Sequence, residues 1–420
     1  MQNKVKKSIK YLCPSCEHIM SELKQDFSDF LCMSSLGQEF IKKSLKCAKC
    51  GQKLQILDQK SEINLFLSAI INPKIKVVAY TAPSIRTSLG EAFNMPLGTD
   101  VTGKMVNALK MIGVDYVFDM NFAADLTTVE EACEFKARLD SGKNLPMLTS
   151  CCPAWVAYVE RAYPSLISKL STCKSPQQMF GAILNSYFAK KLNIINSNLF
   201  VVSIVPCVAK KLERLKVGHT KQGYDVDCTL TTIDLADIIK LKGIDLNSLE
   251  DAEFDNEFGL SSGAGVIFGN SGGVMEAVME SSSAKHKEFE IKKATFNLVR
   301  GKKGIREATI FAKGKEIKIA CVSGLANAKP LLDECVKNNS PYSFIEVMAC
   351  DGGCVGGGGQ PLSNNREQAV KMRAQGLYNR ALKCNYKNSF ENPAIISLYE
   401  NFLGEFGGSL AYDILHVKRK

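Results

Sequence analysis

The chain has 420 residues, of which 45% are apolar and 23% are charged; this balance is typical of a globular protein with room for two or three domains. No stretch approaches the roughly 18 uncharged apolar residues of a membrane span, and the basic residues 1–10 lead into no apolar segment, which argues against a secretory signal. The net charge of +10 favours an acidic partner such as a small electron carrier, whereas no dense Lys/Arg stripe with interleaved aromatic residues indicates nucleic-acid binding.

Strand-like and helix-like segments alternate along most of the chain. After a polar, cysteine-bearing region at 1–70, the apolar pattern predicts a strand at 75–80, and a helix at 127–139 is expected to be capped by Thr127 or Thr128. A helix at 153–162 has Pro at its first turn. The remaining predictions for this half are helices at 103–112 and 177–191, and strands at 115–122, 147–150 and 199–205.

The second half continues the alternation. The predicted segments are strands at 225–231, 316–322 and 343–348, helices at 233–241 and 366–382, and a glycine-rich loop at 261–273. This order predicts an α/β fold with largely parallel strand pairing.

Cysteine is abundant, with 16 residues in the chain, and a large chain without a secretory signal uses so many mainly for metal or redox chemistry. Three predicted strands end at Cys152, Cys207 and Cys350, and Cys354 follows closely. Ligands of open α/β sheets lie beyond the carboxyl ends of the strands, and four thiolates hold a 4Fe–4S cubane. The scattered cysteines are expected to be small buried side chains: Cys32, Cys133, Cys173, Cys228, Cys321, Cys335 and Cys384.

Three segments around these cysteines carry a specific resemblance. TSCCPAW at 149–155, VPCVAKKLE at 205–213 and EVMACDGGCVGGGGQP at 346–361 resemble, in order, the signature motifs of iron-only (FeFe) hydrogenases. The resemblance extends over most of 75–420, and LYENFL at 398–403 looks like the family's small-subunit segment. It implies a two-lobed α/β fold with mixed, largely parallel sheets and a buried cofactor between the lobes. The expected domains are a Cys-rich module at 1–70, a catalytic domain at 71–361 and a C-terminal helical segment at 362–420.

The resemblance also implies a cofactor site, the H-cluster. Cys152, Cys207, Cys350 and Cys354 would hold the cubane, and Cys354 would bridge it to a di-iron unit carrying CO, cyanide and an azadithiolate. Lys210 is a suitable hydrogen-bond donor to cyanide. The further pocket residues that match the family are Ala82, Pro83, Ser84, Gln177, Pro206, Phe268 and Met348.

A proton path is the next requirement, because a buried metal site that handles H2 needs titratable groups that reach solvent. Cys151, beside the ligand Cys152, is the natural last donor. Glu131 and Glu134 share one helix face, where Arg138 can pair with Glu134; alone, this pattern is typical of a solvated helix. By resemblance, Cys151, Glu131, Ser171, Glu134 and Arg138 match the relay of the family's active branch.

Three residues depart from the usual family pattern. Val205 stands where many members have Met, Ala154 replaces the Gly after the CCP, and Asp351 replaces the Pro after the third cubane cysteine. We expect these changes to alter rate, bias, potential or oxygen tolerance, with function retained.

The N-terminal region carries two CxxC pairs, Cys13/Cys16 and Cys47/Cys50. Two such pairs are typical of a zinc ribbon with four thiolates, whereas larger family members carry accessory iron–sulfur clusters here. Structural zinc, a second 4Fe–4S cluster and a module without metal all stay open.

The sequence therefore predicts a hydrogenase that catalyses reversible H2 oxidation and proton reduction. Its expected partners are a ferredoxin-like acidic electron carrier and the hydrogenase maturation enzymes, and its expected location is the cytoplasm of an anaerobic host, or a hydrogen-producing organelle in a protist. Alternatives are a hydrogen sensor acting through a partner, a non-catalytic iron–sulfur assembly factor and a zinc-ribbon interaction protein. An assembly factor needs no relay, so the intact set of relay residues argues against it.

Overall fold

The chain divides into two compact units, Met1–Ser68 and Ala69–Lys420, in the computed structural model. In the first unit, the strands Ser8–Leu12 (β1), Ile19–Leu23 (β2) and Gln55–Ile56 (β3) form an antiparallel sheet in the order β2-β1-β3. The residues that the structure describes are 8–12, 19–23, 55–56, 59–216, 223–285, 289–290, 297–298, 304–312 and 314–419.

The predicted N-terminal metal site lies outside the described residues, as does Cys32. Its four cysteines are Cys13, Cys16, Cys47 and Cys50. The choice between zinc and an iron–sulfur cluster at this module therefore stays a prediction.

The strands of the second unit form two sheets. One is fully parallel in the order β5-β4-β7-β8, and the other runs β10-β11-β12-β13-β6 with β9 also paired to β11. In the second sheet β12, β13 and β6 are parallel and the remaining pairs are antiparallel. The strands are Lys76–Thr81 (β4), Tyr116–Asp119 (β5), Met147–Leu148 (β6), Leu199–Val205 (β7), Cys228–Thr231 (β8), Phe289–Glu290 (β9), Asn297–Leu298 (β10), Ile305–Ala312 (β11), Lys315–Ser323 (β12) and Tyr342–Met348 (β13).

Helices cover these sheets, which explains why the parallel strands read as continuous apolar runs. In β4, residues 77–81 are all buried, and β7 is buried along nearly its whole length.

No helix among the described residues is long and apolar enough to cross a membrane. The helices are Gln59–Ile70 (α1), Thr102–Ile112 (α2), Met120–Ser141 (α3), Pro153–Ala162 (α4), Pro176–Ile183 (α5), Ala189–Lys191 (α6), Ala209–Glu213 (α7), Thr232–Leu241 (α8), Gly263–Ile267 (α9), Gly273–Lys285 (α10), Leu325–Val336 (α11), Arg366–Leu382 (α12), Pro393–Leu398 (α13) and Ser409–Leu415 (α14).

Helix α3 begins seven residues earlier than the sequence predicted, and the strand before it ends at Asp119 instead of 122. Asp119 is the residue that caps α3, because its carboxylate accepts a hydrogen bond from the backbone N–H of Asn121. Thr127 and Thr128 do not cap the helix. Their hydroxyls donate to the carbonyls four residues earlier, at 2.9 Å in both cases, so both threonines lie inside α3.

The predicted loop at 261–273 was also wrong, because it contains α9 and the first residue of α10. Ser262 caps α9 by accepting a hydrogen bond from the N–H of Gly265 at 3.2 Å. A Cβ at Gly265 would lie 2.6 Å from the carbonyl oxygen of Asn121. The glycine that suggested a loop thus allows α9 to pack closely against α3.

Asp125 of α3 anchors the C-terminal segment to the rest of the second unit. Its buried carboxylate accepts hydrogen bonds from the N–H of Ser262 at 2.8 Å, from the hydroxyl of Ser389 at 2.8 Å and from the amide of Asn392 at 2.8 Å. The Ser262 hydroxyl adds another at 2.5 Å. The carboxylate thus satisfies several donors that would be costly to leave unpaired in the core.

We expect Asp125→Ala to lower the free energy of unfolding by about 3–5 kcal/mol, because it leaves these donors buried without an acceptor. Denaturant unfolding of the full chain measures this change. Asp140→Ala is the matched control: Asp140 lies on the same helix in an exposed pair with Lys136, so its loss should cost less than about 1 kcal/mol. Equal effects of the two substitutions would contradict the anchoring role.

Candidate functional site

The carboxyl ends of strands from both sheets of the second unit meet at one cavity. Strands β4 and β7 supply residues 82–84 and 205–207, and β6 and β13 supply residues 151–152 and 348–350. Parallel strands place their carboxyl ends on the same edge, which is where ligands of α/β sheets bind. The lining includes all of the predicted cofactor residues: Ala82, Pro83, Ser84, Gln177, Pro206, Lys210, Phe268, Met348, Cys152, Cys207, Cys350 and Cys354.

The four predicted cubane cysteines lie close enough to affect one another's protonation. Burial raises the pKa of the Cys207 thiol to about 12, and the neighbouring Cys152 and Cys350 contribute to the rise. Burial, together with those same two cysteines and Cys207, raises the pKa of Cys354 well above its usual range. Four partly buried thiols that converge on one cavity are the donor set of a 4Fe–4S cluster, so the residues present fit that group.

The loop between Cys350 and Cys354 depends on its glycines. Gly353 has φ of +90°, and its N–H donates to the carbonyl of Cys350 at 3.1 Å, which closes a tight turn between the two cysteines. A Cβ at Gly353 would lie 2.5 Å from the backbone nitrogen of Ser271. Only glycine therefore lets this loop pack against the 269–271 segment while it turns both thiols to the cavity.

The rest of the cavity wall is mainly apolar, with a few polar groups. The hydroxyl of Ser84 is buried and has no hydrogen-bond partner among the described residues. Val205, one of the departures from the family pattern, is buried in the wall and keeps it apolar. An unpaired buried hydroxyl beside four thiols suits a ligand with acceptor atoms, as a cyanide-bearing di-iron unit would have.

Lys210 is fixed at the cavity by a residue that the sequence reasoning did not single out. Its ammonium donates to the carbonyl oxygen of Cys151 at 2.9 Å and to the carboxylate of Glu213 at 2.8 Å. Burial opposes the charge of Lys210, but Glu213 outweighs it and the pKa of the lysine is raised. The signal available in the sequence was the i,i+3 spacing of Lys210 and Glu213 on one helical turn.

Glu213 also accepts hydrogen bonds from α5 and from the residue that caps this helix. Its carboxylate accepts hydrogen bonds from the Ser175 hydroxyl at 2.8 Å and from the Gln177 amide at 3.1 Å. It therefore joins two predicted pocket residues, Gln177 and Lys210, into one buried network that orients both toward the cavity.

The predicted relay residues lie beside one another, and their carboxyl groups have opposite pKa shifts. Burial and the nearby charge of Glu134 raise the pKa of Glu131 to about 8. Glu134 is also desolvated, but Arg138 and the N–H of Thr172 outweigh this and lower its pKa. Glu131 therefore holds a proton at neutral pH while Glu134 is ionised.

The relay residues lie in order from the cavity, at Cys151, toward the protein surface, at Glu134. Cys151 lines the cavity, and the side chain of Glu134 is 12% exposed. The Ser171 hydroxyl donates to Glu134 Oε2 at 2.9 Å, and the expected ion pair of Arg138 with Glu134 Oε1 is present at 2.6 Å. Both oxygens of Glu131 are buried without a hydrogen-bond partner among the described residues.

The other two departures lie at the edge of the site. Ala154 is half-buried in α4. Asp351 is exposed next to Cys350, whose pKa is raised mainly by burial and to a smaller extent by this carboxylate. Neither residue changes the spacing of the four thiols.

Comparison with known proteins gives consistent matches over the second unit. The family model for the iron only hydrogenase large subunit, C-terminal domain, matches residues 75–358, and that for the iron hydrogenase small subunit matches 367–418. The chain is similar to iron hydrogenase 1 of Clostridium pasteurianum, with 41% identity over 369 residues, which cover 87% of this chain and 64% of that protein. It therefore spans less than two thirds of that relative's length.

A solved structure and a second type of relative complete the comparison. The structure of apo [FeFe]-hydrogenase HydA1 from Chlamydomonas reinhardtii matches with a TM-score of 0.76 and 34% identity, covering 85% of this chain and 98% of that one. The predicted fold is thereby confirmed. Cytosolic iron-sulfur assembly component 3 of Rattus norvegicus is 30% identical over 360 residues, 81% of this chain and 74% of that protein.

Proposed function

Because the chain belongs to the iron-only hydrogenase family, we propose that it is a catalytic member, an oxidoreductase that interconverts H2 with protons and electrons. The observation that supports this most directly is the row of proton-carrying side chains between the cavity and Glu134. In this row Glu131 is protonated and Glu134 is ionised. An iron–sulfur assembly factor needs the cubane thiols but has no use for such a path.

The chain's own residues would hold the cofactor. Cys152, Cys207, Cys350 and Cys354 would bind a 4Fe–4S cubane, with Cys354 shared with a di-iron unit. That unit, with CO, cyanide and azadithiolate ligands, would supply the H2 chemistry. Lys210 would donate to a cyanide ligand, since Cys151 and Glu213 account for two of its three N–H bonds. The Ser84 hydroxyl would donate to another acceptor of the unit, while the apolar wall excludes water.

The relay would move protons between this cavity and solvent. Glu134, held ionised by Arg138, would take a proton at the surface and pass it through the Ser171 hydroxyl to Glu131. Glu131, whose pKa is about 8, would store that proton at neutral pH. Because neither oxygen of Glu131 is committed to a partner among the described residues, its carboxyl would be free to serve Ser171 and Cys151 in turn, with Cys151 as the last donor.

The domain limits and partners are part of the same proposal. The matches at 75–358 and 367–418 support a catalytic domain at 71–361 and a small-subunit-like segment at 362–420, after a Cys-rich module at 1–70. An acidic electron carrier suits the net charge of +10, and maturation enzymes would deliver the di-iron unit. The cytoplasmic location stays a prediction.

We expect the protein, produced together with maturation enzymes, to evolve H2 from reduced viologen and to show infrared bands of bound CO and cyanide, which absorb where protein does not. Protein produced without those enzymes is the control and should contain cubane iron but lack these bands. Matured protein with iron but with neither bands nor turnover would contradict the proposal and favour an assembly factor. Bands with only weak turnover would favour a hydrogen sensor.

A further inference from the structure

Residues 415–417 pair with residues 172–174, which lie beside the relay residues Ser171 and Glu134. The N–H of Lys174 donates to the carbonyl of Leu415 at 2.8 Å, and the N–H of Val417 donates to the carbonyl of Thr172 at 2.8 Å. These bonds form an antiparallel bridge that pairs Cys173 with His416. Two side chains that are 243 positions apart are thereby placed together beside Glu134.

Three different metal-ligating atoms meet at this point. Cys173 Sγ lies 3.8 Å from Glu134 Oε2 and 3.8 Å from His416 Nδ1, and one atom from each of the three residues falls within 4.8 Å of the other two. Zinc bonds of 2.3 Å to sulfur and 2.0–2.2 Å to nitrogen or oxygen put the ligands of a tetrahedral site about 3.4–3.6 Å apart. The two distances from the sulfur exceed these values by only a few tenths of an ångström. The Glu134 and His416 atoms lie within 4.8 Å of each other and would approach by up to about 1.4 Å. The imidazole would also turn, because its two nitrogens are almost equally far from the sulfur, at 3.8 and 3.9 Å.

The imidazole of His416 has the carboxylate partner that is usual for a metal-bound histidine. Its Nε2 donates to Glu130 Oε2 at 2.9 Å, which leaves Nδ1 as the nitrogen with the free electron pair. Glu130 is held in turn by the hydroxyl of Tyr399 and by the N–H of Gly407. In most metal sites, the ring nitrogen of histidine that does not bind the metal donates its N–H to a carboxylate or carbonyl, as Nε2 of His416 does to Glu130. The hydroxyl of Thr172, 2.8 Å from Nδ1, is the group that an ion would displace.

The carboxylate of Glu134 can serve such an ion without losing its ion pair. Arg138 binds Oε1, whereas Oε2 faces Cys173 and accepts the hydrogen bond of Ser171. An ion on Oε2 would therefore leave Arg138 in place and remove the Ser171 contact, which is the step of the relay nearest the surface.

We propose that Cys173, His416 and Glu134 form a binding site for Zn²⁺ or a similar divalent cation, and that the bound ion inhibits proton transfer by occupying the Glu134 oxygen used by Ser171. The inhibition rests on the proposed hydrogenase function; the binding does not. The Cys173 thiol must lose its proton to solvent when the ion binds. Metal binding therefore releases a proton and tightens as the pH rises.

Titration of the full chain carrying its cubane with Co²⁺, a spectroscopic substitute for zinc, tests the site without any turnover. We expect the wild type to bind one equivalent more than Cys173→Ser, with a thiolate-to-cobalt absorption band in the difference spectrum. Cysteines of the N-terminal module contribute equally to both proteins and cancel. Cys384→Ser, which removes a half-buried thiol outside the cluster, should bind like the wild type. Equal stoichiometry in the wild type, Cys173→Ser and His416→Gln would overturn the site.

Hydrogen turnover of the matured protein tests the inhibition. We expect Zn²⁺ to lower turnover at least tenfold and a chelator to restore it. Cys173→Ser and His416→Gln should each raise the half-inhibitory Zn²⁺ concentration by more than 100-fold, and Glu130→Gln, which alters only the second sphere, by about 10–100-fold. Cobalt binding without zinc inhibition would overturn the role of Glu134 as a ligand. A matured protein with no turnover at all would refute the proposed function and leave the cobalt result to decide the site.

Discussion

Glu131→Gln is expected to lower H2 turnover by about 10²–10⁴-fold, the usual contribution of a positioned proton donor or acceptor. Gln has nearly the shape of Glu but cannot release and recover a proton. Glu131 is fully buried, between the cavity residue Cys151 and the more exposed Glu134. Viologen-driven H2 evolution by matured protein measures the effect, and unchanged infrared bands of CO and cyanide would show that the cofactor is intact. Full turnover in this variant would remove Glu131 from the path.

The same substitution is expected to stabilise the protein. The pKa of Glu131 rises from 4.5 to about 8 on folding, so between these values the folded state keeps a proton that the unfolded state has lost, and stability falls as the pH rises. Glu131→Gln removes this loss, which is of the order of 4 kcal/mol at pH 8. Thermal unfolding of both proteins at pH 5 and pH 8 should show the difference growing with pH.

Glu134→Gln supplies the matched control one helical turn away. The folded-state pKa of Glu134 is lowered, so its stabilisation is present above the unfolded value of 4.5 and is lost as the pH falls through the folded value. Its replacement should therefore destabilise the protein at pH 8 while also lowering turnover. Two relay variants with lost turnover and opposite changes in stability could not both result from misfolding. Destabilisation by Glu131→Gln at pH 8 would contradict the buried, protonated state of this residue.

Cys354→Ala is expected to reduce H2 turnover to the background of the assay, the largest effect of any single substitution considered. This thiol is proposed to bind both the cubane and the di-iron unit, whereas the other residues proposed to hold the di-iron unit would contribute only hydrogen bonds and packing. We also expect the infrared bands of CO and cyanide to disappear and the iron content to fall.

Cys384→Ser is the control for loss of a thiol as such, because Cys384 is half-buried in a different part of the fold and its thiol contacts the carbonyl of Arg380. It should keep both turnover and bands. Retained bands in Cys354→Ala would show that another group bridges the two metal centres and would refute the assigned ligand set.

The sequence by itself determined the features whose signals are local. The apolar runs of β4 and β7, the proline that opens α4 and the full extent of α12 are each encoded within a few neighbouring residues, and all were predicted at or within one residue of their observed bounds. The cysteines at the strand ends belong to this class, because a buried run that stops at a cysteine is visible without knowledge of its neighbours in space.

Local signals misled where tertiary packing outweighed them. The glycines at 263 and 265 suggested a loop, but Gly265 allows α9 to lie against α3. Thr127 was predicted to cap the helix because the position where β5 ends, and with it the capping role of Asp119, is not visible in the local sequence. The start of α3 was set by these contacts and not by the threonines.

The tertiary structure alone decided the electrostatic properties of the site. The pKa of Glu131 depends on its complete burial and on Glu134, and the position of Lys210 depends on Glu213 and the carbonyl of Cys151. The Cys173–His416 pair joins residues 243 positions apart. Desolvation and Coulomb interactions depend on distances in the folded chain, and the order of residues along the sequence specifies those distances only once the whole fold has formed.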